Sequence, residues 1–397
     1  MRSVKILFAN NLCGHYGGVE QVIAHTAKEL VRRGHACHLA YGHARPDGEA
    51  FSRPFASATR CTEFGGPADG ERGETFRAIA DAVRPDVVFV HKLARLPEGV
   101  EHARDYRKVV LVHDHDLWCP TGLGYTRHNR KTCTHAAGWR CYLALAFLEK
   151  PAGGPLPVKV VNIRRKIREM ARYHDFDAVL ANSTFIRDRL LAGGYPPSRM
   201  HLCHPVLDQG EPEVTPVPEA PEILYVGSLI RGKGVDLLLD ALHRLRCPFH
   251  LTVVGTGKSQ DDLKEQVRVL GLEARVTFAG WVANDAVAAY YQRARVVAVP
   301  SCWPEPFGLV GLEAMRHGRP VAAFAVGGIP DWLAHEETGL LSPEQDVAAY
   351  TASLERLLTD GDLAARLGAG GAARVKEHFA FAGYVDALEG HLKNYEL

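Results

Sequence analysis

The chain has 397 residues, 46% of them hydrophobic and 23% charged, which points to roughly two or three domains at about 150 residues each and excludes disorder as the main state. Lysine plus arginine number 47 against 46 acidic residues, a net charge of +1 that argues against a nucleic-acid coat while permitting a local basic patch. No apolar run approaches the roughly eighteen residues of a membrane span, the N-terminus turns polar too soon for a signal peptide, and nine cysteines are too few for a disulfide framework, so the expected compartment is a reducing cytoplasm.

Short apolar runs alternate with amphipathic stretches from the start. Val4 to Ala9 is predicted as a strand, and Val19 to Arg33 as a helix carrying Val22, Ile23, Ala27 and Leu30 at helical spacing before Gly34 stops it. Further strands are predicted at Ala36 to Tyr41, Asp86 to Val90, Val109 to Val112, Asp177 to Ala181 and Met200 to Cys203, with a helix from Ser183 to Leu191. The stretch 117–157 breaks this rhythm and reads as an insertion. The run DQGEPEVTPVPEAPE, Asp208 to Glu222, is rich in proline and acid and reads as a linker.

The alternation then restarts. Strands are predicted at Ile223 to Val226, Phe249 to Val254, Val276 to Phe278, Val296 to Val299 and Pro320 to Phe324. Helices are predicted at Val235 to Leu245, Gln260 to Leu270, Asp285 to Arg293 and Leu309 to His317. Buried strands separated by helices predict parallel sheets covered on both faces. The fold class is therefore α/β: two doubly wound Rossmann-like domains facing across a cleft. The first covers 1–207, the linker 208–222 and the second domain 223–380. Residues 381–397 are predicted to form a helix that crosses back to the first domain.

The most informative stretch is PSCWPEPFGLVGLEAMRHG, Pro300 to Gly318. A strand ends, a loop presents Glu305, and Phe307 and Gly308, both expected to contact the donor nucleotide, lead into a helix. Backbone N–H groups at Gly308, Leu309 and Val310 suit a diphosphate, which the helix dipole also favours. Glu313, inside the first turns, suits the vicinal hydroxyls of a ribose. Glu305 can reach sugar hydroxyls beyond the phosphates.

At these residues the chain resembles the retaining GT-B glycosyltransferases of family four. The likeness rests on Glu305 and Glu313 in EPFGLVGLE, followed by His317-Gly318. Further blocks are YVGSLIRGKGVDLLLDAL from Tyr225, LTVVGTG from Leu251, VTFAGWV from Val276, GGIPDWL from Gly327, TGLLSP from Thr338, and GHYGGVEQVIAHTAKELVRRGH near the N-terminus. The resemblance assigns Glu313 to the ribose, Glu305 to the donor sugar, and the backbone of Gly308 and Leu309 to the diphosphate. It assigns Lys233 to the charge of that diphosphate. Many relatives carry arginine where this chain has Ser228, so either Arg231 supplies a second cation or lysine and backbone suffice. Gly17 and Gly18, between the first strand and helix, suit close approach of phosphate or acceptor. His113, at a strand end, matches a histidine that touches the donor sugar, with His115 as the competing choice.

The activity implied is retaining transfer of a hexose or N-acetylhexosamine from a nucleoside diphosphate sugar to a hydroxyl acceptor. Uridine diphosphate is the commonest nucleotide among such relatives. Lys233 and the helix dipole stand in for Mg²⁺, so no cofactor or metal is expected, and front-face attack is the implied mechanism. A sugar-nucleotide epimerase of the same architecture and a non-catalytic nucleotide-sugar-binding subunit are the alternatives. Cys119, Cys133 and Cys141 read either as a structural zinc site or as buried thiols, since no pair has Cys-x-x-Cys spacing. RRKIREMAR at Arg164 to Arg172 reads as a solvated helix or as at most a peripheral membrane contact.

Overall fold

A computed structural model describes residues 3–15, 17–64, 73–101, 105–149, 159–210 and 214–393. Parts of the predicted insertion (150–157), the linker (211–213) and the end of the last predicted helix lie outside the described residues. The chain forms two compact units. The first comprises 1–123, 134–208 and 381–397, and the second 124–133 and 209–380.

The first unit is built on β1 (Lys5–Cys13), β2 (Ala36–Ala44), β3 (Ser57–Arg60), β4 (Val87–Val90) and β5 (Arg107–Val112). A short antiparallel pair follows, β6 (Leu148–Glu149) with β7 (Lys159–Val160), and then β8 (Ala178–Ala181) and β9 (Met200–Leu202). The main sheet is parallel, in the order β3-β2-β1-β4-β5-β8-β9. Every residue of β4 and β8 is buried, as expected of parallel strands covered on both faces. The helix Gly18–Arg32 buries Val22, Ile23, Ala27 and Leu30, the stripe legible in the sequence. β1 runs four residues beyond its predicted end at Ala9, because Asn10 and Leu12 continue the pairing with Tyr41 and His43.

The second unit has β10 (Glu222–Val226), β11 (His250–Val254), β12 (Val276–Gly280), β13 (Val296–Val299), β14 (Val321–Phe324) and β15 (Gly339–Ser342), all parallel, in the order β12-β11-β10-β13-β14-β15. The Pro-rich segment does not stand away from this unit. Fully buried Arg319 donates to the carbonyls of Thr215 and Pro216, and Arg295 to those of Pro218 and Glu219. Proline has no N–H, but its carbonyl is a full acceptor, and these arginines use it.

The helix Phe381–Lys393 completes the first unit. The Tyr384 hydroxyl lies 3.1 Å from Thr26 Oγ1, and the buried Glu389 takes Arg33 (2.8 Å), His35 (3.0 Å) and Lys393. Burial alone would raise the Glu389 pKa, but hydrogen bonds from Lys393, Arg33 and His35 outweigh it and hold it at about 2. The folded value lies below the unfolded one, so the stabilisation is complete above about pH 4.5 and fades as the pH falls toward 2. We predict that amide-exchange protection of residues 381–393 weakens over that interval. Glu389→Ala should lose much of it at neutral pH, at a cost of about 1–3 kcal/mol for the lost hydrogen bonds to Arg33, His35 and Lys393. Unchanged protection in the variant would show that apolar packing alone docks the helix.

Candidate functional site

In open parallel sheets, ligands gather at the carboxyl ends of the strands where the strand order reverses. In the second unit that point lies between β10 and β13, which pair through Ile223↔Val296 and Leu224↔Val297. The loop after β10 carries a 3₁₀ turn, Arg231–Lys233, and the loop after β13 carries Glu305. The two loops meet. Lys233 Nζ donates to Glu305 Oε1 at 2.6 Å and lies 5.0 Å from the centre of the Trp303 ring. Ser301 Oγ donates to the same Oε1 at 2.5 Å, while Oε2 has no hydrogen-bond partner among the described residues. Glu305 is buried.

The backbone explains the fit. Gly232 O accepts from the N–H groups of both Cys302 (2.9 Å) and Trp303 (2.7 Å). Gly234 has φ +68°, and a Cβ there would lie 1.9 Å from Pro300 O. Only glycine permits that approach. The Arg231 side chain is exposed, with no ion pair among the described residues.

Gly308, at φ +96°, caps the helix Leu309–Arg316. The first N–H groups of a helix have no acceptor within it, and Gly308, Leu309 and Val310 are only partly covered. Phe307 is buried, and its carbonyl accepts from Trp332 Nε1 at 2.6 Å. This contact ties the loop to the helix Ile329–Trp332. Glu313 accepts from the Tyr291 hydroxyl (2.9 Å) and from Gln209 Nε2 (3.3 Å). Burial raises its pKa, against the lowering effect of those two donors and Arg316. Each oxygen retains acceptor capacity for a diol.

In the first unit His113 directly follows β5 and lines a pocket with His91, Lys92, Asp114, Asp116 and Tyr173. His113 Nε2 and His91 Nδ1 lie 2.9 Å apart. Burial pushes His113 down to about 4 and His91 well below its usual value, so at neutral pH one uncharged ring donates to the other. Lys92 pairs with Asp114 and lies 3.7 Å from Asp116. His115 is buried and accepts from Trp118 Nε1 at 3.2 Å, a packing role. The Gly17 N–H donates to Glu20 Oε2 at 3.1 Å and is thereby engaged within the protein, while Gly18 opens the helix. Of the two readings of Cys119, Cys133 and Cys141, the structural zinc site finds no ligand group: among the described residues no group of three or more His, Cys, Asp or Glu could hold a metal ion. Cys119, Cys133 and Cys141 are half-buried, which also corrects their reading as buried thiols.

Residues 16–210 match the family model described as Glycosyltransferase Family 4, and residues 211–374 match that of Glycosyl transferases group 1. The chain is a family-four glycosyltransferase. It is 27% identical to the D-inositol 3-phosphate glycosyltransferase of Mycobacteroides abscessus over 401 residues, covering 96% of this chain and 85% of that protein. An uncharacterized glycosyltransferase of Methanocaldococcus jannaschii, MJ1607, is 35% identical over 140 residues, 35% of this chain and 36% of that one. Among solved structures, Alr3699/HepE of Anabaena in complex with UDP superposes with a TM-score of 0.74 at 19% identity, covering 98% of this chain and 99% of that one. The shared fold is GT-B.

Sequence reading of the glycosyltransferase missed Ser301, Tyr291, Trp332 and His91. Tyr291 sits in the last turns of the helix Asn284–Arg293, where no spacing rule marks it as a partner of Glu313. Trp332 lies in GGIPDWL, a block recognised by likeness and not by function. The Lys233–Glu305 contact has a consequence testable without any ligand. Lys233→Ala and Glu305→Ala should each lower the thermal stability of the transferase, and the double variant should lose less than the sum, by about 1–3 kcal/mol. Additive losses would show that the contact stabilises nothing.

Proposed function

We propose that this glycosyltransferase moves a hexose or N-acetylhexosamine from a nucleoside diphosphate sugar, with UDP as the nucleotide, to a hydroxyl acceptor with retention of configuration. The observation that carries this reading is the 2.6 Å approach of Lys233 to Glu305 beside the start of the helix that holds Glu313. A cation for the diphosphate, a carboxylate for the sugar and a carboxylate for the ribose thus lie along one edge of one sheet. The UDP complex of the Anabaena neighbour is in keeping with the choice of nucleotide.

The chemistry follows from charge. As the bond to the sugar breaks, negative charge gathers on the leaving diphosphate. A fixed ammonium at Lys233 and the N–H groups of Gly308 to Val310 stabilise that charge more in the transition state than in the ground state. The exposed guanidinium of Arg231 supplies the second positive charge that Ser228 cannot. The free Oε2 of Glu305 accepts from sugar hydroxyls and fixes the ring. Glu313 accepts from the ribose. Attack from the same face lets the departing phosphate oxygen take the acceptor's proton, and the positive groups present make transfer independent of a divalent ion. In the first unit, neutral His113 takes the role the resemblance implies, a hydrogen bond to a sugar hydroxyl. We place the enzyme in the cytoplasm with at most peripheral membrane contact and no nucleic-acid partner; no helix among the described residues is long and apolar enough to cross a membrane.

Two variants separate the roles of the carboxylates. Glu313→Ala should weaken binding of UDP itself, whereas Glu305→Ala should spare UDP and depress turnover of the nucleotide sugar. Lys233→Ala should lower turnover by roughly a hundredfold or more, the scale for one lost charge-stabilising donor. Calorimetric titration with UDP and turnover assays with and without EDTA measure both. Equal loss of UDP affinity in the two glutamate variants overturns the assignment, and activity abolished by EDTA and restored by Mg²⁺ overturns the metal-free reading. Acidification should weaken UDP binding from above the ordinary glutamate range, because burial raises Glu313 and only its ionised form accepts from both hydroxyls.

A further inference from the structure

The chain between Leu123 and Thr134 leaves the first unit and folds as a small hairpin of the second. Tyr125 bridges Thr132, Thr126 N–H donates to Lys131 O (3.0 Å), and Cys133 N–H to Gly124 O (2.8 Å). Arg130, at φ +58°, is buried at its base. A non-glycine residue holds that conformation only where its surroundings over-determine it, and here they do. The guanidinium donates to both oxygens of Asp236 (2.9 and 2.8 Å) and to the carbonyl of Arg231 (3.1 Å). Thr132 is tied in addition, its N–H and hydroxyl both donating to Glu344 Oε1 (2.7 and 2.9 Å). A methyl group on Gly232 would lie 3.4 Å from the Tyr125 hydroxyl and 3.1 Å from Trp303 Cβ. The turn Arg231–Lys233 is therefore gripped from two sides, by the loop after β13 and by this hairpin.

We propose that the hairpin 124–133 braces the phosphate-binding turn, and that Arg130 is a positioning residue acting through Lys233. It fixes the start of the turn by the Arg231 carbonyl and the start of the following helix, Val235–Arg244, by Asp236. Lys233 lies between the two anchors, and its backbone has little freedom left. The task suits arginine: its planar fork engages a carboxylate with two donors while another reaches a carbonyl, which a lysine ammonium on a flexible stem does not reproduce. The inference rests on the reading of Lys233 given above.

The test compares nucleotides that differ by one phosphate. Wild type, Arg130→Gln, Arg130→Lys, Thr132→Val and Lys233→Ala are titrated with UDP, GDP and ADP and with their monophosphates, and scored on the pair whose diphosphate binds tightest. Circular dichroism and melting temperature confirm that each variant is folded. Arg130→Gln should weaken the diphosphate by roughly tenfold or more, the value of a hydrogen bond to a charged group, and leave the monophosphate unchanged. Its turnover should fall on the order of a hundredfold, as for a displaced catalytic group. Arg130→Lys should recover part of the loss, and Thr132→Val, the milder change should Arg130 variants not fold, should show a smaller loss of the same selectivity. If Lys233→Ala weakens the diphosphate while Arg130→Gln and Thr132→Val do not, or if they weaken both nucleotides equally, the brace is refuted. If Lys233→Ala itself leaves the diphosphate unaffected, or no diphosphate binds at all, the reading of Lys233 falls first and the brace with it.

Discussion

The second unit is organised around a charge that must be matched. A lysine ammonium set down among Trp303, Gly232 and the end of a buried sheet loses much of its water, and a carboxylate as buried as Glu305 loses nearly all of it. Neither is tolerable alone, and together they are tolerable only at close range and with further hydrogen bonds. Many local features serve that requirement. Adjacent strands β10 and β13 bring the two loops side by side. Gly234 allows the backbone of one to touch the other, the Gly232 carbonyl ties them twice, and Ser301 adds a second donor to Glu305.

The same edge holds two carboxylates whose surroundings give them different characters. Glu305 shares one oxygen between a cation and a hydroxyl and keeps the other open. Glu313 has a neutral hydroxyl and an amide as hydrogen-bond donors, with Tyr291 stacked against His317 at 5.3 Å behind it. A carboxylate beside a cation is anchored by charge, while one among neutral donors is tuned by burial. Two glutamates eight positions apart therefore sit in different electrostatic settings.

Much of the fold was legible because parallel strands are buried on both faces and appear as unbroken apolar runs, such as VVFV at Val87–Val90 and VVAV at Val296–Val299. What escaped notice was locally ambiguous. β3, SATR, has no fully buried residue and reads as coil. The helix Gly361–His378 contains GAGG, a poor helix former, yet a Cβ on Gly368 would lie 2.1 Å from Gly318 O. Packing there overrides propensity. Of the candidate site, Lys233, Glu305, Glu313 and Gly308 were all visible as motif positions. Their mutual geometry was not, since Lys233 and Glu305 are 72 residues apart and only strand order brings them together. The placement of 124–133 in the second unit was likewise invisible, because it rests on side chains far apart in sequence, Arg130 on Asp236 and Thr132 on Glu344.

Neither unit is a continuous stretch of chain. On the ribosome the first sheet is complete by residue 202, yet the helix that supplies Tyr384 and Glu389 emerges only after the whole second unit has been made. Until then Thr26, Arg33 and His35 lack the partners that this helix supplies, although Arg33 can already pair with Glu29 and His35 can accept from the Val4 N–H. Synthesis thus leaves the first unit open along one helix for most of its duration, and its last side chains to be satisfied are among the first translated. Cutting the gene at residue 208 would not yield two half-enzymes. It would strip one product of its closing helix and the other of its hairpin.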